Sequence, residues 1–230
     1  MIRWDADGYR VAFTTRVGGV SEGPYASLNL GRKSGDDPER ADENRRIACE
    51  AIGADVEKLA LNFQVHSARV LRAVPAQRGE HADGLWTDEP GLPILAMSAD
   101  CLPIVLARVG KPGVTVLHAG WRGLLAGIVA AGAEVLGGEK LVAAVGPAIG
   151  PCCYEVGEEV AAPFRRAFGL GIVRDGKLDL WRAAERALRA AGCVLVDRVD
   201  LCTACAPERF FSHRRDAGVT GRQGVIGVIG

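Results

Sequence analysis

Strand-forming residues dominate Tyr9-Arg10-Val11-Ala12-Phe13-Thr14-Thr15, which predicts a strand that stops at Gly18-Gly19. A glycine- and serine-bearing stretch follows to Gly35 and reads as a long ordered loop. The first helix is predicted with Asp36 or Asp37 as N-cap, Pro38 in its first turn and Gly53 as its stop. Its apolar members Ala41, Ile47, Ala48, Ala51 and Ile52 form one modest buried stripe. Short apolar runs then predict strands over 59–64, 68–74, 92–97, 102–109 and 114–118. Residues 121–136 are small and apolar on most sides, a helix packed between layers. A strand over 141–145, helices over 155–168 and 180–191, and strands over 210–213 and 225–228 complete the pattern. Strands and helices mix without a regular βαβ repeat, and no Pro/Ser-rich linker divides the chain. The expectation is one α+β domain over 1–230, a layered α/β sandwich with mixed sheets.

Composition adds exclusions. Of the 230 residues 48% are hydrophobic, enough for a sizeable core. The 28 basic and 28 acidic side chains cancel, which argues against a sequence-wide surface for nucleic acid or anionic membrane. The longest stretch without a charge, 141–154, is interrupted by two prolines and falls short of the roughly 20 apolar residues of a bilayer span. Met1-Ile2-Arg3-Trp4-Asp5 lacks the pattern of a signal peptide, so the seven cysteines are expected reduced, in a cytoplasmic protein.

Candidate chemistry concentrates where strands are predicted to end. His66 lies between two predicted strands, Cys101 in the turn Ser98-Ala99-Asp100-Cys101, and His118 where a strand breaks into Ala119-Gly120-Trp121-Arg122-Gly123. Two imidazoles and a thiolate suit a zinc ion with an open fourth position. The same residues also read as two core histidines and a buried thiol, or as a Cys101 nucleophile with His118 as its base. Arg16 beside Gly18-Gly19, and Arg122 at the second glycine turn, are candidate anion contacts. Each equally fits an ordinary turn with a solvated arginine. Asp83 and Asp100 are candidate proton shuttles or partners of a ligand.

Cys152-Cys153 and Cys202-Thr203-Ala204-Cys205 are read as buried structural thiols. A four-thiolate zinc site is an alternative, but the vicinal pair fits the usual C-x₂-C spacing poorly. A redox dithiol lacks a βαβ context. His213 and the Arg214-Arg215 pair read as a salt-bridged surface strand, and His81 as a solvated loop residue.

Eight segments in order resemble the YfiH family, whose members are described variously as laccase-domain proteins, polyphenol oxidases and purine nucleoside phosphorylases. They are Thr14-Thr15-Arg16-Val17-Gly18-Gly19-Val20-Ser21, Ser27-Leu28-Asn29-Leu30, Gln64-Val65-His66-Ser67, Ala82-Asp83-Gly84 and Ala99-Asp100-Cys101. The series continues with His118-Ala119-Gly120-Trp121-Arg122-Gly123, Gly146-Pro147-Ala148-Ile149-Gly150-Pro151 and Phe211-Ser212-His213-Arg214-Arg215-Asp216. The resemblance implies a fold similar to that of bacterial toxin deamidases, and a zinc ion held by His66, Cys101 and His118. It further implies phosphorolysis of purine nucleosides such as adenosine and inosine, with accompanying adenosine deamination. On that reading Cys101, His118, Asp83 and Asp100 are the catalytic candidates, and Arg16, Asn29 and Arg122 contact substrate or phosphate. The expected partners are a purine nucleoside and phosphate, without nucleic acid or membrane, and the chain is expected to be a monomer. Three readings compete: a copper polyphenol oxidase, a zinc amidase acting on a cell-wall precursor, and a non-catalytic zinc protein.

Overall fold

The computed structural model describes residues 1–137 and 140–230. In chain order the elements are β1 (Ile2–Ala6), β2 (Tyr9–Phe13), α1 (Pro38–Glu50), β3 (Ala60–Leu61), β4 (Val70–Arg72), β5 (Gly84–Thr87), β6 (Ile94–Ser98), β7 (Leu102–Arg108) and β8 (Val114–Ala119). There follow α2 (Trp121–Leu125), α3 (Ile128–Glu134), β9 (Leu141–Val145), α4 (Glu158–Phe168), the ribbon β10 (Val173–Arg174) and β11 (Lys177–Leu178), α5 (Leu180–Ala190), β12 (Cys193–Arg198) and β13 (Gln223–Ile229). One sheet runs β1-β2-β13-β6-β3 and the other β12-β9-β7-β8-β5-β4, each mixing parallel and antiparallel pairs.

The sheets pack face to face, and helices cover both outer faces. Val11, Phe13, Ile94 and Val225 of the first sheet meet Val105, Val114, Val116 and Ala144 of the second. Alternation sends Leu102, Ile104 and Leu106 of β7 the other way, onto Ile128, Phe164, Ala184 and Leu188 of the helices. Ala12, Leu95, Ile226 and Val228 likewise face Ala48, Cys49 and Ile52 around α1. The order is therefore helix, five strands, six strands, helices, an α/β sandwich with mixed sheets as expected. Every residue of β13 is buried because both its faces are covered, and its sequence runs without a charge. Among the described residues no helix is long and apolar enough to cross a membrane.

The helix α1 begins as expected: the Asp37 side chain accepts from the Glu39 amide and Pro38 fills the first position. Elsewhere the boundaries differ, for physical reasons. The helix expected over 121–136 is split at Gly127, whose φ of 87° no helix accommodates. The strand expected over 59–64 shrinks to Ala60–Leu61, because the Gln64 side chain takes over the ladder and pairs with the amide and carbonyl of Met97 at 2.8 and 2.6 Å. No strand forms over 210–213. There the Gln223 amide bonds both the N–H and the C=O of Phe211, at 2.7 and 2.9 Å, and stands in for a neighbouring strand. The pattern reading also omitted β1, β5, the β10–β11 ribbon and β12. The last has Val194 and Leu195 exposed, so its apolar run faces solvent at the sheet edge.

Candidate active site

Strand order assembles the central cluster. The strand β8 lies between β7 and β5, with Leu102 opposite Ala119 and Gly84 opposite Leu117. Cys101 and Asp83, one residue before each neighbouring strand, therefore flank His118 near the end of β8. The Asp83 carboxylate is buried and accepts five hydrogen bonds. Oδ1 takes the His66 amide at 2.9 Å and His118 Nδ1 at 2.8 Å. Oδ2 takes the Val65 amide at 3.2 Å, the Ser67 amide at 2.6 Å and the Ser67 hydroxyl at 2.8 Å. One side chain thus fixes the His118 ring and folds the 65–67 loop, in which His66 has a φ of 61°.

This arrangement leaves His118 Nε2, His66 and the Cys101 sulfur facing one another. Ligand atoms of all three lie within 4.8 Å, with His66 Nε2 at 3.9 Å from Cys101 Sγ. The edge of a tetrahedron drawn with ordinary zinc–nitrogen and zinc–sulfur lengths is about 3.6 Å, so the donors fit one ion with a position open. Gly120 keeps that space clear: a Cβ there would stand 2.9 Å from Cys101 Sγ and 3.0 Å from a His66 ring carbon.

Burial opposes charge on both His118 and Cys101, but their mutual attraction and hydrogen bonds outweigh it. The Cys101 sulfur and Asp83 lift His118 to about 9, while His118 and His66 bring the Cys101 thiol down to about 6. Asp83 is pushed up by burial and held down more strongly by His118 and Ser67, to about 2. Both imidazoles thus favour the thiolate, the form that binds metals or attacks carbon.

The cluster opens into a cavity of about 940 Å³, ample for a nucleoside-sized ligand. Arg32, Lys33, Arg45, Arg78, Arg214 and Arg222 line it, and among the described residues Asp100 is the one carboxylate in the lining, while Asp42, outside it, pairs with Arg32 and Arg45 at 3.2 Å each. A chain neutral as a whole thus has a cavity with a cationic excess, carried by Lys33, Arg78, Arg214 and Arg222. Tyr154 and His213 also line it, as does Ser98, whose buried hydroxyl lacks a partner among the described residues.

His66, Cys101, His118 and Asp100 all line the cavity, whereas Asp83 lies behind His118. Asp100, with a φ of 90°, accepts from the Thr203 hydroxyl at 2.6 Å and the Arg214 amide at 2.7 Å. Arg16 lies outside the lining. Its guanidinium donates to the carbonyls of Ala26 and Pro207 at 2.7 and 2.8 Å, over the Phe211 ring. Arg122 is exposed and stacks on Trp121. Asn29 is fully buried. It holds Ser34, Asp36 and the Arg222 amide, and so orders the loop that presents Arg32 and Lys33. The salt bridge expected near His213 exists between Arg215 and Asp216, but the segment is no surface strand, since Phe210, Phe211 and Ser212 are buried. His81 is exposed in its loop, as expected, with its ring against Phe63. Sequence reasoning missed the cavity cations, and for Arg214 alone was there a signal, its place in the Phe211–Asp216 motif.

This fold and site define a class of protein. The family described as multi-copper polyphenol oxidoreductase laccase matches residues 10–229, and the chain belongs to it. Within it the chain groups with proteins of the YfiH and YlmD type, called purine nucleoside phosphorylases. The one from Pseudomonas aeruginosa is 40% identical over 93% of this chain and 90% of its own length. The one from Deinococcus radiodurans is 43% identical, over 94% and 88%. The crystal structure of YlmD from Geobacillus stearothermophilus superposes with a TM-score of 0.89 at 34% identity, covering 97% of this chain and 93% of that one.

Proposed function

We propose that this chain is a zinc-dependent purine nucleoside phosphorylase acting on adenosine, inosine and related nucleosides, with adenosine deamination at the same site. The observation that carries the reading is the cationic cavity opening onto the His66–Cys101–His118 cluster. Phosphorolysis joins a phosphate oxygen to the anomeric carbon as the bond to the purine breaks, and the electrons of that bond leave on the base. The phosphate needs a cationic cradle, which Arg32, Lys33, Arg78 and Arg214 supply in place of Arg16. The departing purine needs a donor to its developing charge. Tyr154, which lines the cavity, serves there as a hydrogen-bond donor that keeps its proton, because burial and the nearby Cys101 push its hydroxyl up to about 12. His66, Cys101 and His118 would hold the zinc ion, which would supply Lewis-acid polarisation when bound. Asp83 is a positioning residue, and its five donors leave it no capacity to shuttle protons. Asp100, the one carboxylate lining the cavity among the described residues, is the candidate base for deamination.

Purified protein incubated with inosine is expected to release hypoxanthine only when phosphate is present. The activity should be lost on chelation and restored by zinc. No free base under any of these conditions refutes the reading, and inosine formed from adenosine without phosphate tests deamination separately.

A second reading has its own observation: Asp83, His118 and Cys101 are ordered as in a thiol hydrolase, such as an amidase. That reading leaves His66 idle beside the sulfur, whereas metal binding uses all three donors. Copper oxidase chemistry is supported least. It needs several copper sites, and the other donor group among the described residues contains cysteines alone.

A further inference from the structure

The strands β9 and β12 are parallel neighbours, so the segments leaving their C-terminal ends run side by side. Val199 donates to the Val145 carbonyl at 2.8 Å, Ala148 to Leu201 at 3.3 Å and Thr203 to Ala148 at 3.0 Å. This pairing carries Cys152-Cys153 up against Cys202 and Cys205, a meeting that neither spacing announces. The four sulfurs lie within 4.8 Å of one another, with Cys205 Sγ at 3.5 Å from Cys152 Sγ and 3.3 Å from Cys153 Sγ.

We propose that Cys152, Cys153, Cys202 and Cys205 form a second metal site, a four-thiolate structural zinc centre separate from the cavity. A zinc tetrahedron of sulfurs has an edge of about 3.8 Å, and a disulfide a bond of about 2.05 Å; the observed separations match the first. A polynuclear iron–sulfur cluster spreads its thiolates around several metal atoms, whereas these surround one point. Packing does not explain the group, because Cys152 and Cys205 are exposed, contrary to the sequence expectation of buried thiols. The Gly150 amide donates to Cys202 Sγ at 3.2 Å, the kind of bond that supports an anionic sulfur. Lys177 donates to the Cys152 carbonyl at 3.2 Å and places a positive charge beside a centre whose ion and thiolates sum to a negative one. With no position left open, the centre is structural. It clamps two loops that build the cavity wall. Thr203, between the ligands of the second loop, holds Asp100, and Tyr154 follows directly on Cys153 and lies under the Arg214 guanidinium.

The test is metal content, which does not depend on any activity. Protein purified without added metal or chelator is expected to carry two zinc ions per chain. Cys152→Ser/Cys205→Ser should retain one, His66→Ala one, and the combined variant none. One zinc that survives His66→Ala and is lost in the double variant supports this centre while removing the cavity metal from the proposed function. Because the double variant risks misfolding, the native protein provides a second measurement. Bound zinc should protect these four thiols from alkylation, and cobalt replacing it should show the intense visible absorption of tetrahedral thiolate coordination. Four thiols that alkylate freely in zinc-saturated protein, a disulfide among them in freshly reduced protein, or stoichiometric iron or copper there overturns the assignment.

Discussion

Replacing Asp83 by asparagine exchanges one carboxylate oxygen for an NH₂ group at the point where five donors converge. Either orientation of the amide sets donor against donor. With NH₂ at Oδ2, the two Oδ2 amide donors and the Ser67 hydroxyl lose their acceptor, although the hydroxyl can turn. With NH₂ at Oδ1, the His66 amide and His118 Nδ1 lose theirs. The milder arrangement thus leaves two donors unpaired, at least one of them only partly buried, at about 1–3 kcal/mol each, or about 2–6 kcal/mol in all. For a chain of this size that lowers the melting temperature by roughly 4–24 °C. The ring of His118 also loses the bond that fixes its tautomer, a change that typically costs 10- to 100-fold in metal affinity. Thermal melts of the metal-free and zinc-loaded variant, with zinc affinity from a competing chelator, measure both effects. A variant within 1–2 °C of the native melting temperature and with unchanged zinc affinity would refute the claim that Asp83 organises the cluster.

Acid should expose the same carboxylate in metal-free protein. Asp83 sits at about 2, below its ordinary value near 4, so its contribution is complete above pH 4 and vanishes as pH falls through 2. Native protein should lose about 2 kcal/mol over that window that Asp83→Asn does not, and parallel urea midpoints at the two ends would contradict this. Gly120→Ala forces a methyl group against Cys101 and His66, costs about 1–3 kcal/mol and should weaken zinc binding; undiminished zinc affinity would show that the cluster yields. Arg214→Lys should raise the KM for phosphate about ten- to a hundredfold, and Arg16→Lys should lower stability while leaving that KM unchanged. The reverse pattern would return the phosphate role to Arg16.

What the sequence determined by itself is local or chemical. The Asp37-Pro38 start of α1 was legible because a cap needs only neighbouring residues, and the β7 and β8 strands because burial on both faces demands continuous apolar runs. The donor types at His66, Cys101 and His118 were legible because side-chain chemistry does not depend on folding. Their convergence was not, since it follows from β8 lying between β5 and β7 and from Asp83 reaching back to the 65–67 loop. The strand that ends early at Leu61 and the one missing over 210–213 follow the same logic, because distant side-chain amides satisfy backbone groups there and no local period records it. Net charge misled most: 28 of each sign cancel along the chain, yet folding gathers Arg32, Lys33, Arg45, Arg78, Arg214 and Arg222 from distant segments around one cavity. A sum over sequence has no positions in it, and electrostatic attraction depends on distance, so only the tertiary structure could turn a neutral chain into an anion-attracting site.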